Sequence, residues 1–454
     1  MACRGMPVRK KKGLHTKGFK MTNTNIQIVD SVMGSGKTTS IIEHINSSSN
    51  PIIIIVERQS EVERLSSACP SLTALSDVSK EENITRLDAL ELIASKGESI
   101  VSTHHLFKFW SDYFLNFAEK WGYELIMDET LSGVLSSVGI KSDDLRKYVD
   151  DGYIEACAAS KLNKVKLTKP LHSKYGDVEN KITKKDCYLF NMSNDEDDPH
   201  YQLIEAPRSE MFSVFNNIKI LTYKFAGSLL RCYFDLHSIS YQMMSIHDGQ
   251  ISRYIDLHGA NFIDKLHIYD GKYNQIRGQS IGSETWIKNK SNQLDMSKRL
   301  RNVYYFWGEF GVTGETFLYT THKNYQKKVH PKNNTGLKNK LNERYADSDE
   351  RGTMTGEERR KVSFLSQTIR GTNDFSHKKF MAFTCNTFLN PQINQFLKHH
   401  DVELYEEPYA LNRMIQWLWR GCIRNDEEMY VFIPSRRMRH LFLKWLGYTE
   451  AELF

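Results

Sequence analysis

The chain has 454 residues, 40% hydrophobic and 26% charged, with a formal net charge of +6, enough for two or three domains with separate cores. No apolar run approaches the roughly 18–20 residues of a membrane span; the longest is PIIIIV at 51–56. The 7 cysteines include no CxxC pair, which argues against a disulfide framework or zinc site and for a reducing cytosol.

Residues 1–20 contain VRKKK at 8–12 and no apolar stretch behind it, so no secretory signal is expected. This segment reads as a disordered basic tail, solvated rather than bound to nucleic acid, and Met21 can be the true start. Order is expected from NIQIVD (25–30), whose alternation and β-branched residues predict a strand. TTSIIEHI follows Lys37, with Ile41, Ile42 and Ile45 on one helical face. Between strand and helix lies SVMGSGKT (31–38), a GxxxxGK[ST] pattern with Ser31 in place of the first glycine. That context is what a phosphate-binding loop requires. Gly34, Ser35 and Gly36 let backbone N–H groups turn toward phosphates. Lys37 can reach the β- and γ-phosphates, Thr38 can ligate Mg²⁺, and Thr39 continues the cradle into the positive end of the helix dipole.

Further strands are predicted at 51–57 (PIIIIVE), 99–103 (SIVST) and 218–224 (IKILTYK), and a helix at 84–97. YELIMDET (123–130) reads as a buried parallel strand that delivers Asp128 and Glu129 to its C-terminal end, where ligands bind in such sheets. Asp128 would enter the Mg²⁺ shell, and Glu129 would orient and deprotonate the attacking water. Strands alternating with helices predict an α/β doubly wound sheet.

Residues 140–205 are lysine-rich and end near an acidic loop, DEDD at 195–198. They read as a polar insertion, whose lysines could track a phosphate backbone or simply be solvated. The alternation resumes in a second α/β domain without a phosphate loop. Strands are predicted at 262–270, 316–322, 378–385 and 428–435, and helices at 390–400 and 409–424. A second polar insertion, expected at 323–362, carries lysines and Tyr325 that could contact nucleic acid. In QWLWRGCIR (416–424), Gln416, Arg420 and Arg424 are spaced four apart, which predicts one helix face. An arginine from a second domain can neutralise charge on a transferring phosphoryl group. Arg436, Arg437 and Arg439 follow a helix N-cap, Ser435, and could grip phosphate or pack beside the cleft.

In this order the motifs resemble superfamily 2 DEAD/DEAH-like helicases and translocases, most of all phage-encoded members. SVMGSGKT is similar to their first motif and MDET to their DExx motif. LTYKFAGS (221–228), with Thr222, is similar to the third motif, which couples hydrolysis to strand movement. Arg58 in VERQS, and Thr103 and His104 in STHHLF, sit where strand-contacting motifs occur. RGTNDF (370–375) occupies the place of the fifth motif, and QWLWRGCIR resembles the sixth. The resemblance implies two RecA-like doubly wound parallel-sheet domains in tandem with polar insertions, at 21–240 and 241–454. It further implies ATP and Mg²⁺ as ligands and a cytoplasmic location, host cytoplasm for a phage-encoded chain. The implied partner is DNA (single-stranded, forked or branched) rather than RNA, with no membrane; a monomer would suffice. Two departures stand out. Trp419 replaces the sixth motif's glycine, and the last arginine comes one residue late, so either Arg420 or Arg424 could be the finger. A packaging-type motor with a C-terminal nuclease and a nucleotide-switched loader are the alternatives. The first needs a metal-binding acid cluster in the second half that the sequence does not display, and the intact Asp128-Glu129 pair argues against the second.

Overall fold

The computed structural model describes residues 24–449, apart from 132, 158–159, 194, 196–197, 248, 257–258, 275–279, 332–341, 346–355 and 368–373. Among the described residues no helix is long and apolar enough to cross a membrane.

The first domain begins with β1 (Asn25–Asp30), α1 (Lys37–Ser47), β2 (Ile52–Val56), α2 (Gln59–Ala68), β3 (Thr73–Ala74), β4 (Ile100–Thr103), a single-turn helix α3 (His104–Phe107) and β5 (Glu124–Asp128). The chain then leaves the sheet for β6 (Ser136–Ser137), β7 (Ile154–Ala156), β8 (Val165–Leu167), α4 (Gly176–Lys184), β9 (Asp186–Asn191) and β10 (Tyr201–Ala206). It returns with β11 (Asn217–Thr222), β12 (Gln242–His247) and β13 (Gln250–Arg253). The main sheet runs β13-β12-β1-β11-β5-β2-β4-β3, parallel throughout except for the β12–β13 hairpin. In β2, Ile53 and Ile55 enter the core on one face of the sheet, while Ile52, Ile54 and Val56 enter the core on the other. This explains the unbroken isoleucine run: a strand covered on both sides has no polar face to alternate with.

The sheet does not stop at the expected boundary near 240. β12 adds in parallel to β1 through Gln27↔Gln242 and Val29↔Met244, so residues 242–253 belong to the first domain. Ser31 accounts for part of this. Its Oγ accepts the Ile246 N–H at 2.7 Å, so the residue that replaces the usual glycine pins the added strand to the phosphate loop.

The excursion between β5 and β11 is a subdomain. β6, β10 and β9 form one small antiparallel sheet, and β7 pairs with β8. Val138, Leu145, Val178, Ile182 and Leu203 are buried in its own core. Arg146 reaches Asp198 at 2.6 Å, and no cluster of three metal-ligating side chains occurs among the described residues.

The second domain contains β14 (Leu266–Ile268), β15 (Phe317–Thr320), β16 (Asn342–Tyr345), β17 (Val362–Phe364), β18 (Phe380–Phe383), α5 (Pro391–His399), α6 (Glu406–Leu418), β19 (Met429–Phe432) and α7 (Arg436–Leu446). Its sheet runs β14-β19-β18-β15-β17-β16, all parallel. It too is buried on both faces: Met381 and Phe383 enter one core, Phe380 and Ala382 the other. Half of the polar stretch expected at 323–362 lies outside the described residues, as does most of RGTNDF.

α5 is contributed by the second half of the chain but packs on the first. Ile393, Phe396 and Leu397 share a core with Tyr188, Phe190 and Ile204, and the Phe396 ring stacks on Tyr188 with centroids 5.9 Å apart. Phe396 is fully buried, so Phe396→Ala is expected to cost about 3–5 kcal/mol, read as a lower urea midpoint. An unchanged midpoint would contradict this packing.

Candidate nucleotide site between the two domains

The site starts at the C-terminal edge of the first sheet. β1 ends in Asp30, and the loop 31–36 leads into α1. Gly34 and Gly36 have φ of +87° and +85°, a left-handed backbone that glycine adopts without Cβ strain. A Cβ at either would meet nothing within 4 Å, so the loop is an open cradle. Lys37, the first residue of α1, is buried. Its Nζ donates to the carbonyl of Ser31 and to that of Val32 at 3.0 Å. Burial pushes its pKa down, opposed by the carboxylates of Glu129, Asp128 and Asp30. Thr38 and Thr39 follow in the first turn of α1, half-buried and exposed respectively.

Asp128 closes β5, beside Leu221 of β11. Burial raises its pKa to about 6, with the nearby negative charges of Glu129 and Glu61 adding to the effect and Lys37 opposing it. Glu129 has φ of +75°, a conformation that strains a residue with a Cβ. Its N–H donates to Leu221 O at 2.9 Å. Its carboxylate Oε2 accepts a hydrogen bond from Gln416 Nε2 of α6 at 3.2 Å. The second domain thus holds the very group expected to handle the attacking water.

A cavity of about 300 Å³ joins these parts. Lys37, Thr38, Asp128 and Glu129 line it from the first domain, Gln416, Arg420 and Arg424 from the second. The arginines do not reach it on one helix face, as their spacing suggested. α6 ends at Leu418; Arg420 lies in the following turn and Arg424 in a short 3-10 helix, Cys422–Asn425. The cause is Gly421, packed so closely on the second sheet that a Cβ would lie 2.2 Å from Met381 Sδ and 2.8 Å from Lys378 O. The next N–H, of Cys422, donates to Lys378 O at 2.9 Å rather than continuing the helix. Arg420 is half-buried and Arg424 exposed. Trp419, which replaces a motif glycine, also lines the cavity.

The remaining expected residues fall close by. Thr222 ends β11, buried, and its carbonyl accepts the Ser31 N–H at 3.0 Å. Arg58 is the half-buried N-cap of α2, and Thr103 the half-buried N-cap of α3. His104, expected as a strand contact, is instead only 4% exposed, with Nδ1 3.0 Å from Glu57 Oε2; a side chain enclosed between strand ends has no surface to offer a nucleic acid. Arg437 and Arg439 are also engaged within the protein, Arg437 with Asn386 Oδ1 and Thr387 O at 2.9 Å, and Arg439 with Ile433 O at 2.9 Å.

Two site residues were not anticipated from the sequence. Asp30 accepts the N–H of Lys224 at 2.7 Å and of Phe225 at 2.9 Å, fixing the LTYKFAGS loop against the phosphate loop. Asn412, one helical turn before Gln416, donates to Tyr223 O at 2.6 Å, and Trp445 Nε1 donates to Tyr223 Oη at 2.6 Å. The signals were present: an acid directly before the phosphate loop, and an amide at i–4 from Gln416 on the same helix face.

The family model "YonV C-terminal Rossmann-like domain" matches residues 260–446. The SPbeta prophage-derived uncharacterized protein YonV of Bacillus subtilis (strain 168) is 26% identical over 441 residues, 93% of this chain and 98% of that protein. A solved structure described as XPD_APO superposes with a TM-score of 0.50 at 11% identity, covering 94% of this chain and 96% of its own. Another, described as XPD_Helicase, gives 0.49 at 11% identity, covering 93% and 94%. At such identity the likeness is one of fold: two RecA-like parallel-sheet domains in tandem.

The donor set, a hydroxyl and a carboxylate beside an open anion cradle, suits Mg²⁺ with a nucleotide. Because Asp128 stays protonated below about pH 6, Mg²⁺ has to displace a proton there. Its affinity in the presence of nucleotide is expected to fall about tenfold per pH unit under that point; calorimetry at about pH 7 and about pH 5 checks this, and equal affinities would contradict it. Asp30→Asn turns an acceptor of two N–H groups into a group with donors of its own. It is expected to cost about 1–3 kcal/mol, seen as a lower melting temperature; an unchanged one would contradict the lock.

Proposed function

We propose that this chain is an ATP-dependent nucleic-acid motor, a helicase or translocase, that hydrolyses ATP in the cleft between its two domains. One observation carries the reading: Lys37, Asp128 and Glu129 of one domain and Gln416, Arg420 and Arg424 of the other face a single cavity. A cradle that only stored a nucleotide would not need cationic and amide groups from a second domain.

In this reading Lys37 exchanges its carbonyl partners for the β- and γ-phosphates. Thr38 and Asp128 hold Mg²⁺, which neutralises phosphate charge when bound. Glu129 accepts the proton of the attacking water, and Gln416 keeps that carboxylate aimed. Arg420 or Arg424 balances charge on the transferred group. The LTYKFAGS loop, held by Asp30 on one side and by Asn412 and Trp445 on the other, carries domain closure to the strand-binding surface. DNA is the favoured track, supported by the likeness of the motifs to phage-encoded helicases and by the prophage-derived relative.

Steady-state ATP hydrolysis measured with single-stranded DNA, forked DNA and RNA tests this. One DNA form is expected to stimulate turnover, and Lys37→Ala to abolish the stimulation. Of Arg420→Ala and Arg424→Ala, the finger should lower kcat by about 10³-fold or more, and the other by far less. Turnover indifferent to every nucleic acid would overturn the motor reading; equal stimulation by RNA would overturn the preference for DNA.

A further inference from the structure

The lysines of the inserted subdomain are not used by the nucleotide site, yet they are gathered. A second cavity, of about 440 Å³, lies between α4 of the subdomain and the segment that follows α3 in the first domain. Lys181, Lys184 and Lys185 line it together with Phe109, Val138 and Asp177. Lys108, adjacent to Phe109, belongs to the same field: burial lowers its pKa first, and the positive charge of Lys185 lowers it further. Glu205 anchors part of the cluster, 2.8 Å from Lys185 and 3.3 Å from Lys181. Four ammonium groups therefore meet three carboxylates, Glu205, Asp177 and, on the Lys108 side, Glu57, an excess of positive charge that favours an anion.

The cleft also carries an aromatic surface. Phe109 is half-buried and pairs with the exposed His105 at a centroid distance of 5.3 Å. A ring beside a row of ammonium groups is the combination by which single strands are held: bases stack while the backbone follows the charge. The cleft adjoins the catalytic segment as well. Lys108 Nζ lies 3.8 Å from the position a Cβ would take at Gly133. Gly133 in turn lines a cavity of about 220 Å³ with Thr130, Gly227, Arg413 and Gln416, between the two domains.

We propose that the cleft between α4 and the segment after α3 binds the backbone of a single nucleic-acid strand, with Phe109 stacking on a base. The strand then runs past Gly133 toward the interdomain cavity, so its presence is felt beside Asp128 and Glu129. This rests on the motor reading above.

The test is fluorescence anisotropy of the full chain with a labelled oligothymidylate at several salt concentrations. Lys184 and Asp177 are exposed, so substitution there spares the fold. Lys184→Glu is expected to weaken binding about tenfold and to reduce the salt slope by about one. Asp177→Lys should tighten binding by a similar factor. Phe109→Leu should weaken it about fivefold, and Phe109→Tyr should restore it. Lys120→Glu, exposed near the far end of the helix Asp112–Trp121 and outside the lining of the cleft, is the control and should bind as the unaltered chain does. The cleft is ruled out if Lys184→Glu and Asp177→Lys bind like the control while DNA still stimulates ATP hydrolysis, and in that case the motor reading survives. An unaltered chain that neither binds the strand nor responds to it in hydrolysis overturns both. Duplex bound more tightly than the single strand, with the same variant effects, overturns the single-strand assignment.

Discussion

The arrangement depends on one buried carboxylate. Asp30 ends β1 and immediately precedes the phosphate loop, where burial raises its pKa and the N–H groups of Phe225 and Lys224 lower it in return. Those two N–H groups belong to the segment that follows β11, so Asp30 ties the loop 31–36 to the LTYKFAGS loop. Gly227 in that loop is packed so tightly against α6 that a Cβ would sit 2.4 Å from Pro408 C. Asn412 and Trp445 then tie Tyr223 to the second domain. A single acid thus sets the position of the nucleotide cradle relative to the domain that completes it.

One strained residue lies where the two halves meet. Glu129 sits in a left-handed conformation that costs on the order of 1–3 kcal/mol unless its surroundings impose it. Here they do: a backbone bond to Leu221 on one side and Gln416 on the other. Burial and two neighbouring acids raise the pKa of Asp128, next to it, to about 6. α5 adds a constraint, because its apolar face packs into the core of the first domain and the subdomain together with Leu389 before it and Val402 and Leu404 after it.

Much of this was readable in the residues. Parallel strands buried on both faces announce themselves as apolar runs, and SVMGSGKT between strand and helix has few other meanings. The parts that were not readable share a cause: they rest on tertiary contacts that local pattern does not encode. The run 409–424 is periodic enough for one helix, but Gly421 meets β18 and the chain turns there, so Arg420 and Arg424 reach the cavity from a turn and a 3-10 helix. β12 joins the first sheet beside β1, helped by Ser31, an apparent blemish in the motif, which reaches its backbone. His104 has the place of a strand contact in the motif order, yet Glu57 and the strand ends enclose it. The amphipathic pattern of 391–399 gives a helix but not its partner, which lies in the other half of the chain.

In the motor reading the two domains act on one nucleotide through the Glu129–Gln416 contact. A double-mutant cycle on ATP turnover tests it most directly, comparing Glu129→Ala, Gln416→Ala and the pair. Residues that act as a unit are not additive, so the double variant is expected to lose no more than the worse single one. Losses that multiply would show two independent contributions and contradict a shared site.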